Sequence, residues 1–148
     1  AVAIKTYNSA SLKSQDGGSK RMKMTLINEL RIMRHVRHPN IALFHGAVLE
    51  AGADDILLVL ERIRGTMFQD IVMKLHAWKP SSPNLSAQTD VMLQVCHALI
   101  FLHSRSTCIV HADLKPSNIM VYKQEGRFCP KLLDFGLARK VTKKATLQ

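Results

Sequence analysis

The 148-residue chain carries 21 Lys and Arg against 11 Asp and Glu, a formal net charge of +10, with 47% hydrophobic residues. This is the size of one ordinary domain, with enough apolar material to bury a core, and the composition reads as soluble and globular. No apolar run approaches the ~20 residues a membrane helix needs; the strongest, Ile56-Leu57-Leu58-Val59-Leu60, is bounded by Asp55 and Glu61.

In chain order, Ala1-Val2-Ala3-Ile4 reads as the tail of a buried strand that ends at Lys5. Ser14-Gln15-Asp16-Gly17-Gly18-Ser19 reads as a flexible loop. Leu26, Leu30 and Met33 then recur at helical spacing, and the pattern predicts a helix ending near His38-Pro39, where proline lacks a donor and pushes its predecessor out of the helical region. Ile41 to Val48 and Ile56 to Leu60 predict two strands of a hairpin about Ala51-Gly52-Ala53-Asp54-Asp55. Gly65 breaks the pattern, and Lys79-Pro80-Ser81-Ser82-Pro83-Asn84 makes a second polar loop. A long helix follows, its apolar face carrying Val91, Val95, Leu99 and Leu102, with Ser86 or Asp90 able to cap or charge its first turn. From Cys108 the segments are short: a loop, a strand through Ile119-Met120-Val121, a turn with Gly126 and Pro130, and a strand at Lys131-Leu132-Leu133. No internal repeat is visible. A strand-rich first half around one helix and a helix-led second half, with the seam near Glu61 to Gly65, fit two lobes and a hinge better than one compact sheet.

Two acid-bearing segments carry the chemistry. His111-Ala112-Asp113-Leu114-Lys115-Pro116-Ser117-Asn118 is followed, beyond an aliphatic strand, by Asp134-Phe135-Gly136. Within the first, Asp113 can accept a hydrogen bond from a hydroxyl and orient it for attack, and Lys115 can neutralise anionic oxygens nearby. Pro116 stiffens the loop, and Asn118 offers a neutral oxygen to a hard cation. Asp134 is a second, charged oxygen ligand on a turn where Gly136 is expected to supply backbone angles that other residues avoid. Upstream, Val2-Ala3-Ile4-Lys5 places a lysine at a strand end.

The order of these three segments resembles the eukaryotic protein kinases, and Lys115-Pro116 after Leu114 resembles the serine/threonine type. The resemblance implies an α+β, protein kinase-like two-lobe fold, incomplete here: residues 1–62 as a partial small lobe from its third strand, with its helix and the strands to the hinge, and residues 63–148 as the start of the helical large lobe. It implies ATP-dependent phosphoryl transfer to protein serine or threonine hydroxyls, with ATP and Mg2+ as cofactors. Asp113 would be the base and Lys115 a phosphate contact, while Lys5 would touch the α- and β-phosphates and pair with Glu29, the only glutamate between Lys5 and Glu50. The plainer role for Glu29 is a surface salt bridge with Arg21 or Lys23. Asn118 and Asp134 would hold the metal. Leu60 and Glu61 fall at the gatekeeper and first hinge positions, the adenine would meet backbone near Glu61 and Ile63, and Ala3 and Met120 would sandwich it. Met33, Phe44, His111 and Phe135 would stack as a column between the lobes.

The chain departs from that pattern at Ala112, where most relatives carry an arginine that meets a phosphate on the activation segment. The resemblance therefore implies no activation through that contact. The glycine-rich loop and the Ala-Pro-Glu motif fall outside these residues, so the chain reads as a fragment, with exposed surface that a whole large lobe would cover. An alternative stays open: a pseudokinase or truncated module that binds nucleotide or a partner without catalysis.

The remaining features are quieter. Lys20-Arg21-Met22-Lys23 and Arg139-Lys140 with Lys143-Lys144 are short basic clusters without interleaved aromatics, and they read as solvated faces rather than a nucleic-acid surface. Cys96, Cys108 and Cys129 lack metal-ligand spacing and read as buried or idle thiols. His35 and His38 have nominal ligand spacing, but nothing completes a zinc site. No secretory signal is seen, so cytosol or nucleus is the expected location.

Overall fold

Alternation decides the first strand. β1 (Val2–Tyr7) exposes Val2 and Ile4 and turns Ala3, Lys5 and Tyr7 to the opposite face, the period of two that a pleated strand imposes. It is thus half-exposed rather than buried throughout, and it runs past Lys5. The computed structural model describes residues 1–7, 17–49, 56–75 and 84–142. The predicted turn at 51–55, residues 14–16 and 79–83 of the two polar loops, the side chain of Ser86, and Lys143 and Lys144 lie outside what is described.

β2 (Phe44–Leu49) and β3 (Ile56–Glu61) pair antiparallel as the hairpin pattern predicts, and β3 also pairs with β1, giving the order β1-β3-β2. β2 begins later than predicted, and its register with β3 shifts between Phe44 and Gly46. Ile41 instead bridges Leu132 in parallel, flanked by Ala42 N–H to Leu132 O at 2.9 Å and Leu132 N–H to Asn40 O at 2.8 Å.

The helix α1 (Gly17–Met33) differs from expectation at both ends. Gly17, Gly18 and Ser19 form its first turn instead of a loop, and it stops at Met33, before His38-Pro39. Beyond that end the Arg37 guanidinium donates to the carbonyls of Met33 (2.9 Å), the last residue of the helix, and Val36 (2.8 Å).

A short strand β4 (Thr66–Met67) leads into α2 (Phe68–Leu75), a helix the sequence reading omitted. In α3 (Asn84–Ser104) Val91, Val95, Ala98 and Leu102 are buried, at the spacing of one helical face. Ala98 takes the inner position and Leu99 is only half-buried, while Met92, Leu93 and Ile100 stand exposed at 44%, 53% and 62%.

Beyond α3 come β5 (Cys108–Val110), a 3-10 turn (Pro116–Asn118), β6 (Ile119–Gln124), β7 (Arg127–Leu132) and β8 (Arg139–Val141). β6 and β7 turn through Glu125 and Gly126, both with positive φ. Pro130 lies within β7 rather than in the turn; β7 is the edge of the sheet β4-β6-β7, where a missing donor is tolerated. β5 pairs with β8.

Asn40 joins the two halves, its amide nitrogen donating to Gln94 on α3 and to the Pro130 carbonyl on β7, both at 3.0 Å. The core runs continuously from Leu26, Met33 and Leu58 through Val95 and Leu102 to Leu132 and Phe135. None of the cysteines belongs to it: Cys96 is exposed, Cys108 and Cys129 are half-buried, and all are free. No helix among the described residues is long and apolar enough to cross a membrane.

Candidate functional site

Lys5 is held between two carboxylates. Its Nζ lies 2.7 Å from Glu29 Oε2 on α1 and 3.0 Å from Asp134 Oδ1. Glu29 is 2% exposed, so its charge is paired with Lys5 and not with Arg21 or Lys23 at the surface. Burial opposes the lysine's charge, but the hydrogen bonds and charges of Glu29, then of Asp134, outweigh it and raise its pKa above the ordinary value. The same Oε2 accepts a hydrogen bond from the Tyr7 hydroxyl at 2.6 Å. Burial and then the Glu29 carboxylate push the Tyr7 phenol up to about 12. Sequence reasoning missed Tyr7, although strand alternation sets it on the face that carries Lys5.

The loop from His111 to Asn118 is tied internally. Asp113 N–H donates to His111 Nδ1 (3.3 Å), so Nε2 carries the ring proton and donates to the Leu133 carbonyl at 2.9 Å. The His111 ring meets Phe135 edge-on with centroids 4.7 Å apart. Both are buried, as are Met33 and Phe44. Ala112 between His111 and Asp113 sits in the left-handed region at φ 61°. Asp113 Oδ2 receives Lys115 Nζ and Asn118 Nδ2, each at 2.8 Å. The Lys115 hydrogen bond, followed by that of Asn118, holds the Asp113 carboxyl below the usual carboxylate range. The Asn118 amide also donates to the Asp113 carbonyl at 2.8 Å.

The next turn corrects one expectation. Gly136 does not take a positive φ; Asp134 does, at φ 54°. Glycine is needed at 136 for space, since a Cβ there would stand 2.5 Å from Thr25 Cγ2 on α1 and 3.3 Å from Asp134 Oδ1. Gly136 N–H donates to that same Oδ1 at 3.2 Å. Burial alone would raise the Asp134 pKa; Lys5, and then the Gly136 N–H, outweigh it and hold the group ionised below the ordinary range.

Within the first sheet, Ala3 pairs with Leu60 and Val2 with Glu61 across β1 and β3. Leu60, Glu61 and Ile63 are half-buried, and so is Met120, which pairs with Met67. Gly65 presses onto the strand carrying Met120: a side chain at 65 would fall on the Val121 carbonyl and lie 3.2 Å from Met120 Cγ. The Glu61 carboxylate accepts from Lys131 Nζ (2.8 Å) and Leu43 N–H (3.1 Å). Lys131, buried at 8%, was not singled out from sequence.

A divalent cation is compatible with the donors present. Both amide hydrogens of Asn118 donate to Asp113, which leaves its amide oxygen as the atom able to meet a cation, and Asp134 adds a carboxylate. Among the described residues no cluster of three or more His, Cys, Asp or Glu exists. A hard cation here would complete its shell with phosphate oxygens and water, as magnesium ordinarily does. His35 and His38 have other partners, Arg34 Nε at 2.8 Å and Asn40 N–H at 3.1 Å.

Comparison with known proteins gives the same direction. The family model described as protein kinase domain matches residues 1–148. The chain is 32% identical over 123 residues to the ovarian-specific serine/threonine-protein kinase Lok of Drosophila melanogaster, covering 83% of this chain and 24% of that protein. It is 31% identical over 145 residues to the human serine/threonine-protein kinase DCLK3, covering 97% of this chain and 20% of that one. With interleukin-1 receptor-associated kinase 1 of Mus musculus it shares 33% over 119 residues, 80% of this chain and 16% of the relative. The chain thus spans a quarter or less of the length of these relatives.

Proposed function

The chain belongs to the protein kinase domain family, and from that premise we propose that it carries an ATP-dependent phosphotransferase centre for protein serine and threonine hydroxyls. The observation that carries this reading is the position of Lys5, one cation bonded at once to Glu29 and Asp134 from separate elements. Lys5 is set to meet the α- and β-phosphates, with Glu29 holding it in place. Asn118 and Asp134 supply the oxygens for Mg2+, which when bound neutralises phosphate charge. Asp113, kept ionised by Lys115 and Asn118, orients the substrate hydroxyl and takes its proton; the hydroxyl oxygen bonds to the γ-phosphorus as the bond to the β–γ bridging oxygen breaks and ADP leaves. Lys115 offsets charge on the moving phosphoryl oxygens. The adenine would lie between residues 1–62 and 63–148, with Ala3 above, Met120 below, Leu60 at its edge, and backbone near Glu61 and Ile63 as its hydrogen-bond partners.

Asp113→Asn tests this. Transfer of radiolabelled phosphate from ATP to a Ser/Thr-bearing protein is expected to fall on the order of 10²–10⁴-fold, with magnesium-dependent ATP binding retained. Wild-type turnover in the variant would remove Asp113 from its role. Nucleotide binding without transfer in the unmodified chain would instead favour a binding module.

A further inference from the structure

Glu29 Oε2 is shared by two donors from one strand. Lys5 and Tyr7 stand two residues apart on the same face of β1, whose backbone is fixed by pairing of Lys5 with Leu58 and Tyr7 with Ile56. Lys5 Nζ donates to that oxygen at 2.7 Å, and the Tyr7 hydroxyl donates to the same oxygen at 2.6 Å. The ammonium also lies 5.4 Å from the Tyr7 ring centroid, within reach of a cation–π attraction. Tyr7 and Glu29 are 6% and 2% exposed, which leaves little water to substitute for the hydroxyl.

The geometry is balanced across the lysine. On one side Asp134 is steadied by a neutral donor, the Gly136 N–H at 3.2 Å. On the other, Tyr7 is the neutral donor to Glu29. Among the described residues each carboxylate therefore has a neutral donor besides the cation it shares. Without the hydroxyl, Lys5 is what remains on that oxygen among the described residues, and the carboxylate can follow it toward Asp134.

We propose that Tyr7 is a positioning residue for the nucleotide-contacting lysine: its hydroxyl fixes the Glu29 carboxylate so that Lys5 is presented to phosphate at one place. This rests on the functional reading above. Tyr7 acts through Glu29 and touches no reacting atom. Its contribution is specific to the hydroxyl, because phenylalanine would preserve the ring, its packing and its face toward the ammonium.

The test is calorimetric Mg2+–ATP affinity for the unmodified chain, Tyr7→Phe, Glu29→Met, the double variant and Lys5→Arg, with thermal midpoints recorded so that affinities are compared on folded protein. Tyr7→Phe is expected to weaken binding on the order of tenfold, the loss of one hydrogen bond to a charged group. In the Glu29→Met background the same change is expected to shift affinity by less than about twofold, since coupled residues are non-additive. Equal affinity of Tyr7→Phe and the unmodified chain, with Lys5→Arg weakened, overturns the positioning role and leaves the functional reading standing. Full additivity in the double variant also overturns it, because Tyr7 would then act on the fold and not through Glu29. Equal affinity of Lys5→Arg and the unmodified chain overturns the functional reading and this proposal together.

Discussion

Glu29, almost wholly inaccessible to solvent, meets Lys5 at 2.7 Å and so joins α1 to β1 through a charge pair whose acidic half has no access to bulk water. Removing the cation leaves the buried anion with a neutral donor, Tyr7, but without its charge partner. Lys5→Met is expected to destabilise the fold by about 3 kcal/mol, the lower end for a broken buried pair because Lys5 itself is partly solvated. Adding Glu29→Met should recover most of that loss, and urea unfolding of the single and double variants measures both.

Tyr7 provides a pH-dependent readout of the same cluster. Its phenol is pushed up to about 12 by burial first and Glu29 second. A folded pKa above the unfolded value means the associated stability is present below about pH 10 and is lost as pH rises through the folded value. With Tyr122→Phe removing the other tyrosine, the absorbance titration of Tyr7 should move down in Glu29→Met. It should not return to the ordinary value, because burial remains.

Asp113 titrates in the opposite sense. Lys115 and then Asn118 depress its pKa, so the stability it contributes is complete above the ordinary carboxylate value and is lost as pH falls through the depressed one. Lys115→Met is expected to raise the Asp113 pKa toward the ordinary range. Carbon NMR of the carboxyl follows this directly, and the acid limb of phosphoryl transfer should move up in pH with it.

Gly136→Ala tests close packing between the Asp134 turn and α1. The added methyl would meet Thr25 Cγ2 at 2.5 Å, and the expected cost is about 1–3 kcal/mol. Thr25→Ser removes that methyl while keeping the hydroxyl that donates to the Arg21 carbonyl at 3.0 Å. Thermal unfolding should show Gly136→Ala substantially rescued in the Thr25→Ser background.

Glu61 and Lys131 form a second charge pair across the halves, at 2.8 Å. Glu61→Ala leaves a buried ammonium unpaired and the Leu43 N–H without its side-chain acceptor, an expected loss of about 3 kcal/mol. Lys131→Met leaves the more exposed Glu61 able to keep Leu43, and should cost less. The difference between the two melting midpoints is the measurement.

The local motifs were legible because their chemistry is contiguous: His111 to Asn118 form one bonded loop, and Asp134 to Gly136 one turn. The Lys5–Glu29 pair was also within reach, since only one glutamate lies on the first helix. What sequence concealed were partners distant along the chain, as with Lys131 and Glu61, or with Asn40 reaching Gln94 and Pro130. Local propensity misled at Gly17-Gly18-Ser19, a poor composition for a helix that nonetheless forms the first turn of α1. The short α2 was readable in Phe68, Ile71, Val72 and Leu75, but the break at Gly65 drew the eye past it. At Gly136 the residue was correctly singled out for the wrong reason, because clearance from Thr25 cannot be read from neighbours in sequence.

Ala112 already occupies left-handed backbone, and its side chain borders a cavity of about 300 Å³ shared with Arg21, Thr25, Asn28, Leu137 and Arg139. Alanine and arginine face comparable steric cost in that conformation, whereas β-branched residues face more. Where the resemblance expects an arginine, this loop carries alanine at a φ of 61°, a backbone that does not itself select between the two residues. A guanidinium at 112 would border a space already lined by Arg21 and Arg139, so Ala112→Arg would add a third like charge there.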